Sequence, residues 1–558
     1  MKMEEVTSKL KPRFDLEKMY AAYRKFLKGA EHGKVVTRFP PEPSGYLHIG
    51  HIKAACLNYH YAKMFEGKMI MRFDDTNPAK EKDEYKESIL EDLKTLEIYP
   101  DIFTHTSDYF DLIIEKCTWC IQNNLAYCDN TDADTMKKER NEGIESKCRS
   151  YTVEQNLEIW NKMLLGDLKE YCVRAKIDMQ CKNKCMRDPV IFRHCAEPHQ
   201  VTGTKYKVYP TYDFACPIVD SVEGVTHAMR TNEYADRNHQ FAWFIKNLQL
   251  RPVVIHDYSR LNFVSTTLSK RKLTWFVEQG LVDGWSDPRF PTVRGIIRHG
   301  MLVQTLIEFM LEQGPSKNSN LMEWDKIWAL NRKNIDPIAL KYTAISAKNA
   351  VPIFIENHGE IDTSVIMVPL HPKNEEIGKK PIHRPQSLLV EREDLEDLKV
   401  GDRIVLVKWG VFVITELNLT EGKQSVKVVH DPKDTDFKNP KKVTWLPNDP
   451  ALLYNVNVLE YDHLLNSLKP DEEKDFEAVV NKNSMFSTPF LAEGHLRTLP
   501  IGTHIQFERR GYFIIDKKRI VDNTQEEADC VFIPDGKSKS MSGLSTNIDA
   551  KKLAKGNK

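Results

Sequence analysis

Apolar runs and amphipathic stretches alternate early in the chain. Lys34–Phe39 (KVVTRF) reads as a short buried strand, stopped by Pro40-Pro41-Glu42-Pro43-Ser44-Gly45, a segment that only a rigid turn accommodates. A helical pattern follows from Ile49 to Phe65, then a second apolar strand, Lys68–Phe73, and a further helix over Lys82–Leu96 with Asn77-Pro78 opening it. Strand, helix, strand, helix in so short a span predicts the start of a parallel α/β sheet.

Further along, the rhythm changes three times. Residues 129–208 carry charge-rich stretches and mixed short elements, whereas the α/β pattern resumes at Val208-Tyr209, takes in Val253–His256 and ends near Lys272. The middle portion is therefore expected to be an insertion between two halves of one sheet, 33–128 and 209–275. Residues 276–350 read as helical, including Val293–Gln313 and Trp324–Leu330. From 351 onward, alternating runs such as Ser364–Val368, Arg403–Val407, Val426–Val429 and Tyr512–Ile515 are separated by turn residues. That pattern predicts β-barrels over 351–558, the distal one at about 396–480. The expected class is thus α/β plus all-β. Residues 1–32 read as a polar helical extension, and the tail from Asp535, with six lysines and two aspartates, reads as a flexible basic end.

A length of 558 residues accommodates about three or four domains. The 80 basic and 80 acidic side chains cancel, so any nucleic-acid surface must be local and not a property of the whole chain. No apolar run approaches the roughly 18 residues of a membrane span. The first residues have no apolar core for a secretory signal, and Glu4, Glu5, Asp15 and Glu17 argue against an acid-poor transit peptide. Eleven scattered cysteines read as reduced thiols of a cytoplasmic protein. Cys117-x2-Cys120 with Cys128 sits in an apolar helical pattern, and Cys181-x3-Cys185 with His194, Cys195 and His199 lacks a CxxC pair, so no metal site is assigned.

Three constellations carry chemistry. In Pro40–His51 (PPEPSGYLHIGH) a buried strand delivers a rigid turn to a helix that starts at His48-Ile49-Gly50-His51. A helix N-terminus binds anions, two imidazoles one turn apart reach the same phosphate, and Gly50 lets a base or ribose lie against the backbone. The second is Leu268-Ser269-Lys270-Arg271-Lys272, after the loop Ser259-Arg260-Leu261-Asn262, placed to close cations on a triphosphate. By itself such a run is an ordinary solvated loop; its place at the end of the α/β region gives it meaning. The third comprises Arg38, Asp74, Tyr212 and Arg230, at strand ends or the loops after them, where open sheets bind ligands. Asp74 suits an α-ammonium, and Arg38 and Arg230 suit a carboxylate, which is expensive to bury without a partner.

Together, RFPPEPSGYLHIGH and LSKRK resemble the two signature sequences of class I aminoacyl-tRNA synthetases, in the form of the glutamyl and glutaminyl branch. The likeness continues through Met71–Pro78 (MRFDDTNP) and Tyr209–Phe214 (YPTYDF), and extends from about 33 to 555. It implies a split Rossmann-type catalytic domain, an inserted domain at 129–208 that grips the tRNA acceptor end, a helical connecting subdomain at 276–350, and a β-barrel region that reads the anticodon, as in eukaryotic and archaeal members. His48, His51 and Lys270 are the catalytic residues it implies. Arg38, Phe39, Pro40, Asp74, Tyr212, Asp213, Phe214, Ala215, Cys216 and Arg230 are expected to hold the amino acid. His48, Gly50, His51, Glu233, Arg260, Leu261, Leu268, Ser269, Lys270, Arg271 and Lys272 are expected to hold ATP, with Mg2+ accompanying it. Arginine at 230 resembles the glutamyl side of the branch, so L-glutamate and tRNA(Glu) are the expected substrates. The glutaminyl member, and a tRNA-binding scaffold with a dead site, are the rival expectations. Association with other synthetases or adaptors is assigned to the N-terminal extension, and no membrane partner is expected.

Overall fold

The structure is a computed structural model and describes residues 15–79, 83–318, 320–360, 365–420, 422, 424–521 and 525–537. The first 14 residues of the extension and the tail beyond Lys537 lie outside the described residues. The chain divides into two compact units: Asp15–Asn262 with Ile307–Leu321, and Phe263–Leu306 with the chain from Met322 onward.

The first unit opens with helix α1 (Leu16–Tyr23), capped by Asp15. Strands β1 (Val36–Phe39), β2 (Lys68–Phe73) and β3 (Ile102–His105) pair in parallel, β2 in the middle. Helices α2 (Ile49–Met64) and α3 (Asp83–Thr95) make the crossovers. The β1 and β2 segments are almost wholly buried, as the sequence pattern requires of a sheet covered on both faces. Helix α4 (Phe110–Gln122) then leads into an antiparallel sheet of β4 (Ala126–Asp129), β5 (Cys172–Ala175), β6 (Val190–His194) and β7 (Val208–Pro210). Within it lie α5 (Ala133–Glu142) and α6 (Val153–Leu165). This is the inserted segment, and its core takes in Cys117, Cys120 and Cys128 beside Trp160 and Phe192.

The parallel pattern then returns as α7 (Tyr212–Val222), β8 (His227–Thr231), α8 (Asn238–Asn247) and β9 (Val254–Tyr258), with β8 and β9 parallel. The Thr226 N–H donates to Val36 O at 2.9 Å and the Val36 N–H to the Thr226 hydroxyl at 2.8 Å, so β8 lies alongside β1 and the two-stranded piece continues the order of the three-stranded one. In the order β3-β2-β1-β8-β9 the strands reverse direction of growth between β1 and β8, and open α/β sheets bind ligands at that switch point. The described part of the N-terminal extension packs on α2, where the Tyr20 hydroxyl meets His60 Nδ1 at 2.9 Å and Arg24 Nε donates to Met64 O at 2.8 Å.

In the second unit, helix α9 (Lys270–Glu278) begins within the second signature. The single helix expected over Val293–Gln313 is two, Val293–Arg298 and Val303–Gln313. Gly300 between them has φ +95°, and a Cβ there would meet Ile533 Cδ1 at 2.5 Å, so the turn and the close packing both call for glycine.

Two seven-stranded sheets follow. One runs Leu340–Tyr342, His504–Phe507, Gly511–Val521, Gln525–Ile533, Leu453–Tyr461, Met485–Glu493, Ala344–Ser346. The other runs Lys441–Val443, Arg403–Leu406, Gly410–Asn418, Ser425–His430, Ala350–Ile355, Ser387–Glu391, Trp445–Pro447. In each, the first and last strands are consecutive in the chain and separated by one residue, Thr343 or Thr444. One bent strand thus closes each sheet on itself, which removes the edges an open sheet would expose. Separate apolar cores fill the two barrels. The distal segment expected at 396–480 takes strands from both sheets, because alternation marks strands but does not say which of them pair.

Candidate active site

The turn after β1 brings the chain to the N-terminus of α2, and there the two histidines cap the helix reciprocally. The Gly50 N–H donates to His48 Nδ1 at 3.1 Å, and the His48 N–H donates to His51 Nδ1 at 3.2 Å. Accepting at Nδ1 fixes the proton of each neutral ring on Nε2. The rings stack with centroids 3.8 Å apart. Burial holds both neutral: His48 well below the usual imidazole range, with His51 and Arg260 adding to the effect, and His51 at about 4. Two neutral Nε2–H donors at a helix N-terminus suit phosphate oxygens without adding fixed charge.

Beside this cap lies a cavity of about 710 Å³ at the C-terminal ends of β1 and β8, which Phe39, Pro40, His51, Asp74, Tyr212, Asp213 and Arg230 all line. Arg230 decides its chemistry. It is 5% exposed, its guanidinium lies over the rings of Tyr234 (5.2 Å) and Phe241 (5.4 Å), and its Nε and Nη1 have no hydrogen-bond partner. Buried guanidinium donors are ordinarily paired, so these call for an anion from the cavity.

Two other cations at or beneath the cavity are already engaged. Arg237 pairs with Asp213 at 3.0 Å. Arg38 donates through Nε to both oxygens of Asp220 (3.1 and 3.0 Å) and through Nη1 to Met229 O (3.1 Å), so it lies beneath the cavity in an ion network. Cys216 is part of that network, its thiol donating to Asp220 at 3.4 Å, whereas Phe214 and Ala215 belong to the hydrophobic core behind α7.

On the same cavity, burial pushes the Asp74 carboxyl up to about 7, with Asp75 and Glu42 adding to the rise against the Thr76 hydrogen bond. An ammonium is offset only by the ionised form, so KM for an amino-acid ligand is expected to climb as pH falls below about 7, roughly tenfold per unit. The same shift opposes folding. A carboxyl that holds its proton more tightly folded than unfolded favours the folded state at low pH, and this contribution fades as pH rises from about 4 to about 7. Asp74→Asn is therefore expected to raise Tm at pH 8, leave it nearly unchanged near pH 4, and abolish amino-acid use. Melting lower than the parent at pH 8 would contradict this reading.

Of the residues expected to hold ATP, Glu233 and Arg260 form an ion pair at 2.8 Å, both half-exposed, and Leu261 is buried beside them in sequence. The second signature falls in the other compact unit. There Lys270 and Arg271 stand exposed at the start of α9, after Ser269 at its N-cap position, while Leu268 is half-buried. Lys272 is tied down, donating to Pro470 O (2.7 Å) and Asp471 Oδ1 (3.1 Å), which also accepts from Thr267. Sequence reasoning passed over Tyr234, Arg237, Asn58 and Tyr258, all of which line the cavity. Tyr258 ends β9 at the same sheet edge as Arg230, so the rule for open sheets would have pointed to it.

A parallel-strand switch point, a histidine-capped helix and a cavity walled by a buried arginine with unsatisfied donors, followed by two closed barrels, fit a class I aminoacyl-tRNA synthetase architecture. Residues 34–337 match the model for "tRNA synthetases class I (E and Q), catalytic domain", and 339–431 and 442–516 match the two anti-codon binding domain models of the same group. The chain belongs to this glutamate/glutamine family of class I tRNA synthetases. It is 46% identical to a probable cytoplasmic glutamate–tRNA ligase of Schizosaccharomyces pombe, over 93% of this chain and 72% of that protein. The cytoplasmic glutamate–tRNA ligase of Saccharomyces cerevisiae is 45% identical, over 92% of this chain and 72% of that one. The bifunctional glutamate/proline–tRNA ligase of Drosophila melanogaster is 48% identical over 95% of this chain, which spans only 31% of its length.

Proposed function

We propose that this protein ligates L-glutamate to tRNA(Glu) in two steps. A glutamate α-carboxylate oxygen attacks the α-phosphorus of ATP, forming glutamyl adenylate as pyrophosphate leaves. The 2′-hydroxyl of the terminal adenosine of the tRNA then attacks the glutamyl carbonyl carbon, and AMP leaves. The observation that carries the choice of amino acid is Arg230, a buried guanidinium with unpaired donors on the cavity wall. A γ-carboxylate satisfies it and a neutral γ-amide does not.

Asp74, on the same cavity, takes the α-ammonium, and Phe39, Pro40 and Tyr212 complete the walls. His48 and His51 hold phosphate oxygens through Nε2–H, and Lys270 offsets the charge that builds on pyrophosphate. No side chain acts as nucleophile, so the rate comes from positioning and charge stabilisation. Mg2+ would accompany ATP and offset charge on its phosphates, as this ion keeps several waters and needs few protein ligands. The inserted segment takes the acceptor end and the barrels take the anticodon loop, where unpaired bases are open to reading. The cytoplasm is the proposed location, as two relatives are named cytoplasmic.

The test is tRNA-dependent exchange of pyrophosphate into ATP, run with glutamate and with glutamine on total tRNA from the source organism. Exchange with glutamate alone is the expected result. Exchange with glutamine would move the protein to the sister specificity, and exchange with neither would leave a tRNA-binding scaffold.

A further inference from the structure

Helix α2 carries a lysine that the mechanism above does not use. Lys53, one residue beyond the second histidine and its successor, is 1% exposed, and no described carboxylate pairs with it. Burying an ammonium without a counter-ion is among the costlier things a fold does, and an apolar residue of like volume would be cheaper. Its contacts indicate why it is kept. Lys53 Nζ donates to Ser259 O at 2.7 Å, lies 3.4 Å from Ser259 Oγ, and sits 5.4 Å from the centroid of the Tyr258 ring. Tyr258 is a wall of the amino-acid cavity, and Ser259 leads directly into Arg260 and Leu261. The Ser259 N–H is held in turn by Ser316 O at 2.7 Å.

We infer that Lys53 is a positioning residue that locks the nucleotide-side loop Ser259–Leu261 to the histidine-capped helix, joining the first half of the interrupted sheet to the second. The inference rests on the proposed ATP-dependent reaction. A compact charge with rotatable donors suits the task, because it fixes a carbonyl and a hydroxyl on one loop from a single point on the helix. The loop end is thereby held at a set distance from His48 and His51, and that distance must match the span of an adenosine phosphate.

Burial lowers the Lys53 ammonium to about 8. Its titratable neighbours are Tyr258, whose ring it lies over and whose hydroxyl burial drives far above its usual range, and His51 on the same helix, which is neutral. Of these only Lys53 changes charge between pH 7 and 9.

The wild-type protein alone supplies one test. KM for ATP at saturating glutamate and tRNA is expected to rise severalfold between pH 7.5 and 9.5 (on the order of fivefold, from loss of a charge-assisted hydrogen bond). Lys53→Met is expected to fold, with KM for ATP raised about tenfold at pH 7.5 and no longer pH-dependent, and KM for glutamate changed less than about twofold. Binding of ATP alone, followed by calorimetry, should weaken in parallel, and this readout stands even if glutamate proves not to be the substrate. A wild-type KM for ATP that is flat across the range, or a variant in which both KM values rise together with a large drop in Tm, would overturn the positioning role.

Discussion

Arg230→Gln is expected to lower kcat/KM for glutamate about 10³-fold, close to 4 kcal/mol, while the protein stays folded. The expectation follows from the state of the guanidinium in the unliganded cavity. At 5% exposure with Nε and Nη1 unsatisfied, it has lost most of its water and found no carboxylate in return. A ligand carboxylate relieves that deficit. Without the cation, the γ-carboxylate of glutamate would have to leave water for an unpaired site, and buried charges of that kind cost several kcal/mol. Removing an unpaired buried charge should not destabilise the protein, so Tm is expected to hold or rise slightly. Exchange assays with glutamate and glutamine, beside a melting curve, separate the cases. Unchanged glutamate use would show that the γ-carboxylate binds elsewhere, and a collapse of Tm would mean that Arg230 is structural.

How much of this was legible beforehand depends on sequence distance. The strand–turn–helix of Val36–Met64 and the strand Lys68–Phe73 were read within two or three residues of where they lie, because burial on both faces leaves continuous apolar runs. The insertion was legible as a break in rhythm, although its sheet begins at Ala126 and ends at Pro210. Arg230 and Asp74 stood out as charges at strand ends, and no local pattern tells which charges are already paired. Arg38 looked as free as Arg230. Its partner Asp220 lies 182 residues away, in a helix whose sequence gives no hint of it. Lys53 has no signal in the sequence at all, since only the folded chain brings Ser259 O within 2.7 Å of it. The barrels themselves were legible as alternating runs, but which strands share a barrel was not, because closure at Thr343 and Thr444 is a matter of pairing, and pairing is invisible in alternation.

Asp220→Asn should be the most damaging single change to the fold of the first unit, lowering stability by about 3–5 kcal/mol. Asp220 is fully buried and binds two guanidiniums, Arg38 at 3.0 Å and Arg72 through Nη2. Arg72 reaches on to Glu223 at 2.6 Å, and Glu223 accepts from Thr104 at 2.6 Å. These side chains come from β1, β2, the strand β3 and α7, so one carboxylate joins the first half of the interrupted sheet to the second. With asparagine, two buried arginines share a single remaining carboxylate, and the lost charge is not replaced by water. The two guanidiniums hold the Asp220 carboxyl below its usual range in spite of burial. A carboxyl with a depressed folded-state pKa contributes stability that is present above its unfolded value, about 4, and is lost as pH falls through the folded one. The wild type should accordingly weaken in acid more steeply than Asp220→Asn, and the two melting temperatures should converge at low pH. Pairing the change with Arg38→Met offers the sharper comparison: removing both charges should recover part of the lost stability, a coupling that distant, independent sites do not show. Activity should not return with it, because Arg38 also holds Met229 O at 3.1 Å, on the residue before Arg230. If the double variant is no more stable than Asp220→Asn alone, the network is not the joint between the halves.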